Sequence, residues 1–97
     1  MPTYITLVNY TQKGIENIKD SPARLDKVKA AMKAAGGEFK AFYLTLGHYD
    51  MMVVSEAPND DAYATTMLAI GAAGAVRSET LKAFTEDEYR KIISTLP

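Results

Sequence analysis

The one histidine of the chain, His48, stands beside Gly47, Tyr49 and Asp50. Its ordinary pKa of about 6.5 suits it to proton transfer near neutrality. The phenol of Tyr49 can donate to a ligand oxygen, and the carboxylate of Asp50 can orient that ligand or take a proton. Further along, Arg77 and Glu79 are two residues apart in an alternating segment, hence on one face of a strand. Arg77 suits a ligand carboxylate and Asn9 a hydrogen bond beside it. Each has a structural reading as well. Gly47 supplies a turn with positive φ, Asp50 accepts from amides of the same turn, His48 is an ordinary turn residue, and Arg77 pairs with Glu79. Five methionines could line an adaptable pocket, though filling a core is the commoner use of that side chain.

Composition narrows the chemistry. With no cysteine there is no disulfide, no thiolate nucleophile and no sulfur-ligated metal, and the chain suits a reducing compartment. Metal-type ligands are too scattered to suggest a zinc site, so no metal is expected; haem through His48 is the one cofactor considered. Eleven basic and twelve acidic residues leave a formal charge of -1, too weak a field to draw in nucleic acid or anionic lipid. The amino terminus lacks the basic start and apolar run of a signal peptide, and no stretch approaches a membrane span. A soluble cytoplasmic protein is expected.

The elements that must position these residues follow from periodicity. Thr3 to Tyr10 alternates as a strand. Ile15 and Ile18 suggest an extra turn. Ser21 and Pro22 then open a helix carrying Leu25, Val28, Met32 and Ala35 on one face, ended by Gly36 and Gly37. Glu38 to Leu46 and Met51 to Ser55 read as a hairpin whose tip holds the histidine segment. Pro58, Asn59 and Asp60 start a second helix with Tyr63, Thr66, Met67, Ile70 and Ala73 in a stripe. Val76 to Phe84 is a fourth strand. Thr85 and Glu88 form a capping box for a last helix with Tyr89, Ile92, Ile93 and Leu96 on its apolar face. With 97 residues there is room for one domain, residues 1–97, and its class is α+β. The pattern βαββαβ, with an extra C-terminal helix, is ferredoxin-like and calls for a four-stranded antiparallel sheet.

Helices on one side leave the other side of such a sheet open. With Ile5 and Leu7 assigned to the helices, Tyr4, Thr6, Val8 and Tyr10 point away, and a second sheet is expected to cover them in a homo-oligomer.

The segment LGHYDMMVVSEAP, with Gly47, Tyr49 and Asp50, resembles the GYD-domain family. The likeness extends over YITLVNYT, DSPARLD, AFYLTLG and VRSETLKAFTEDEY, nearly the whole length. It implies a fold similar to the dimeric α+β barrels, in which two ferredoxin-like sheets pack face to face, and it implies no particular activity. On the strength of its apolar open face, the chain reads as an oligomeric small-molecule-binding module whose candidate ligand residues are His48, Tyr49, Asp50, Asn9 and Arg77. The alternative is a small acid/base or haem-dependent enzyme of the oxygenase-like barrel type.

Overall fold

Alternation makes the first strand, and the computed structural model, which describes residues 1–97, places β1 at Thr3–Tyr10. The link that follows is helical: α1, Gln12–Glu16, and a 3-10 turn at Ile18–Asp20 account for the apolar pair Ile15 and Ile18. The first long helix, α2, spans Ser21–Ala34 and stops before Gly36, whose φ is 82°. Asp20 rather than Ser21 occupies its N-cap. Ser21 lies inside the first turn, where its hydroxyl hydrogen bonds to the Tyr10 phenol at 2.8 Å.

The hairpin is β2, Glu38–Leu44, and β3, Met51–Glu56. β2 ends two residues sooner than alternation predicts because the Thr45 amide turns inward to donate to the Asp50 carbonyl, closing the loop. The second long helix, α3, is Asp60–Ala72, capped by Asn59, whose side chain accepts from the Ala62 amide. β4 covers Val76–Ala83, and α4, Glu86–Ser94, opens with the expected capping box between Thr85 and Glu88.

The four strands form one antiparallel sheet in the order β2-β3-β1-β4, so the first and third strands are central and the other two are edges. This is the ferredoxin-like order. The helices cover one face only. That face carries Tyr4, Thr6 and Val8 of β1 and Met51, Val53 and Ser55 of β3, all buried. The expected assignment of faces is therefore reversed: Ile5, Leu7 and Asn9 lie on the open side.

The reason is a set of hydroxyl contacts reaching far along the chain. Tyr4 stacks on Tyr63 of α3 with ring centroids 3.9 Å apart and planes 12° from parallel. The Tyr63 hydroxyl bonds to both Thr6 and Thr80, and the Tyr4 hydroxyl donates to Asp60. A tyrosine so satisfied is as good a core residue as an aliphatic one, and it brings more area. Burial pushes the Tyr4 phenol up to about 12, aided by Asp60. The Asp60 carboxyl is held below its usual range by the Tyr4 hydrogen bond and then by Lys82.

Candidate functional site

The open face is a sheet surface with an apolar centre and a polar end. Its centre follows from pairing register: Leu7 sits opposite Met52, and Ile5 between Val54 and Leu81. These residues are half-buried except Leu81, which is 46 % exposed, and Tyr43 of β2 extends the row beside Met52. No helix of the chain lies over them.

The polar end is where the GYD segment closes the hairpin. Gly47 has φ 126°, a conformation costly for any residue with a Cβ, and it lets the chain reverse there. Asp50 is the joint between this turn and the central strand. Its carboxylate accepts from the Tyr10 amide at 2.9 Å, while its own amide donates to the Val8 carbonyl and to the Asn9 side chain. The bond to Tyr10 leaves the turn itself, so the partner of the Asp50 carboxylate is the end of β1 rather than the loop's own amides. Thr45 completes the loop by donating to the Tyr49 carbonyl.

Tyr49 reaches the other way. Its phenol donates to Glu79 on β4 at 2.6 Å, spanning the end of β1 on the open side. That carboxylate holds the Tyr49 phenol above its ordinary value. Arg77 sits directly opposite Asn9 in the β1–β4 ladder, two residues from Glu79 on the same face. It is exposed and forms no ion pair; Glu79 bonds to Tyr49 instead of to Arg77. The fold therefore brings Asn9, Tyr49, Asp50 and Arg77 to one end of the open sheet, and adds Glu79. His48 is apart from them at the exposed tip, with no hydrogen-bond partner among the side chains. The spacing of Arg77 and Glu79 signalled their shared face, but nothing local signalled that Tyr49 would take the carboxylate.

The interior offers no room for a ligand. The void between sheet and helices, lined by Met32, Ser55, Ala57 and Tyr63 among others, holds about 10 Å³, space for one water at most. The buried Ser55 hydroxyl, which has no protein partner, faces this same region. No three histidine, aspartate or glutamate side chains converge anywhere, and no helix is long and apolar enough to cross a membrane.

Fold and surface together define a ferredoxin-like α+β domain whose four-stranded sheet is covered by helices on one side and open on the other. It is similar to part of a feast or famine regulatory protein of M. tuberculosis, complexed with L-methionine, at TM-score 0.59 and 16% identity over 90% of this chain and 54% of that one. It is also similar to TTHA0845 of Thermus thermophilus, at TM-score 0.56 and 20% identity over 88% and 95% of the two chains. The GYD domain model matches residues 4–93, and the chain belongs to the GYD family. A curated relative, also from Thermus thermophilus, is 34% identical over 84 residues, 86% of this chain and 88% of the relative. That protein is named a glutamine synthetase and cystathionine beta-lyase binding protein.

Proposed function

We propose that this chain is a protein-binding module that pairs with a second copy, open face to open face, and that the pair engages a metabolic enzyme. The observation that carries the reading is the uncovered row of Ile5, Leu7, Met52, Val54 and Leu81. Covering about 400 Å² of apolar surface per subunit is worth roughly 10 kcal/mol before association costs of several kcal/mol. The relative's name supports an enzyme as the further partner, and glutamine synthetase is the one to try first.

Sedimentation of the purified chain tests the pairing, and titration calorimetry with purified glutamine synthetase tests the partner. The expected results are a dimer, its loss in the variant Leu7→Asp, and saturable binding of the enzyme by the natural chain. A monomer at every concentration would overturn the pairing; no heat of binding with either enzyme of the relative's name would overturn the partner.

A second reading, a small polar ligand held between the paired sheets, is favoured by the convergence of Asn9, Tyr49, Asp50 and Arg77 at one end of the face. In it Arg77 binds a carboxylate, Asn9 and Tyr49 orient it, and His48 lies at the rim. Thermal shift with a panel of amino acids checks this: a ligand whose stabilisation disappears in Arg77→Ala supports it. The acid/base or haem-dependent alternative requires the second copy to enclose His48, since one chain gives the imidazole no partner.

A further inference from the structure

The last helix is the least accounted-for part of the molecule. α4 places Tyr89, Ile92 and Ile93 on one face, at the i, i+3, i+4 spacing, with Leu96 following just past its C-cap, and Asp87, Arg90, Lys91 and Ser94 on the other. No strand or helix of its own chain packs on that apolar face to any extent. Tyr89 and Leu96 are 57% and 62% exposed, Ile92 and Ile93 nearly half, and Phe84 at the junction 60%. A helix of nine residues has little stability in water by itself, and a capping box adds only about 1 kcal/mol. Something must cover it.

Size says how much is missing. The chain exposes 6704 Å², whereas a compact monomer of 10.6 kDa exposes about 5,500 Å². Its radius of gyration is 14.7 Å against about 12.5 Å for a compact domain of this length, and its longest dimension is 53 Å. The excess of roughly 1,200 Å² exceeds the ~800 Å² that each partner contributes to a stable interface. It belongs to the folded chain at all times, so its cover must be present whenever the protein is, in equal number. A second copy meets that requirement; an enzyme bound on occasion does not. The arm is also joined closely to the open sheet, since only Phe84 and Thr85 separate α4 from β4, whose Leu81 closes the apolar row.

We infer that α4 is an exchanged arm, its apolar face seated on a second copy of the chain. Two-fold symmetry then makes the exchange reciprocal, each copy giving an arm and receiving one. This rests on the reading that the chain pairs through its open sheet, and it adds a second, separable contact to that pairing.

The test uses the full chain, in which α4 touches little of its own copy. The double variant Ile92→Asp/Ile93→Asp is compared with Leu7→Asp by sedimentation across a dilution series. Weakening of the dimer by at least about a hundredfold in the arm variant is expected, because reciprocity withdraws four isoleucines, two from each arm, from the contact. Because the chain has no cysteine, Ile93→Cys supplies a unique thiol whose labelling rate reads out burial directly. It should label slowly at concentrations that favour the dimer and quickly on dilution. An unchanged dimer in the arm variant, with Leu7→Asp dissociated, would overturn the arm and leave the paired sheets standing. A natural chain that is monomeric throughout would overturn both. Protection of the thiol only on adding glutamine synthetase would reassign the arm to the enzyme and overturn the exchange.

Discussion

At the scale of single residues, the GYD segment serves as a joint. Asp50 ties the hairpin tip to the end of the central strand through the Tyr10 amide, and Gly47 allows the reversal that brings it there. Asp50→Ala leaves that amide without an acceptor and should cost about 1–3 kcal/mol, whereas Asp50→Asn keeps an acceptor and should cost less. Urea denaturation of the two variants checks the order. Equal losses would mean that the negative charge, not the hydrogen bond, holds the joint. Tyr4 offers a pH signature. With its phenol at about 12 in the folded chain and near 10 when unfolded, the stability it contributes is full below pH about 10 and is lost as pH rises toward about 12. Tyr4→Phe loses the hydrogen bond to Asp60 and should be less stable than the natural chain at neutral pH, with the gap narrowing through that window. A constant gap would show a phenol that titrates normally.

Among the elements, what the sequence made legible depended on how local the cause was. The strands, the two long helices, the extra turn and the capping box come from alternation, helical spacing and caps, all settled within a few residues. Which face of β1 the helices cover was not legible, because the partners of Tyr4, Thr6 and Tyr10 are Asp60, Tyr63 and Ser21, joined only by the fold. Alternation assigns residues to two faces without saying which is inside. The same holds at the polar end, where Asn9, Asp50 and Arg77 were singled out by type but their meeting depends on strand order β2-β3-β1-β4. For α4 the cap was legible and the missing cover was not. Thr85→Ala removes a side-chain acceptor from the Glu88 amide at 3.2 Å, and should cost about 1 kcal/mol of helix stability. Helical circular dichroism with and without low concentrations of trifluoroethanol checks it. A variant indistinguishable from the natural chain would mean that the seat of α4, not its cap, holds it helical.

For the whole molecule, the deciding quantity is how little one chain buries. Eleven of 97 residues are buried, and the shortest dimension is 18 Å, one sheet and one layer of helices. The fold is complete in its hydrogen-bonded ladder and incomplete in its apolar cover, and both uncovered surfaces are ones a second copy can close.

The thin core has a thermodynamic consequence. If association supplies a large share of the cover, unfolding and dissociation become one reaction, and its midpoint is set by mass action as much as by sequence. The melting temperature should then climb steadily as the protein is concentrated, which calorimetry over a hundredfold range would reveal. A chain built this way is sturdy where it is abundant and fragile where it is scarce.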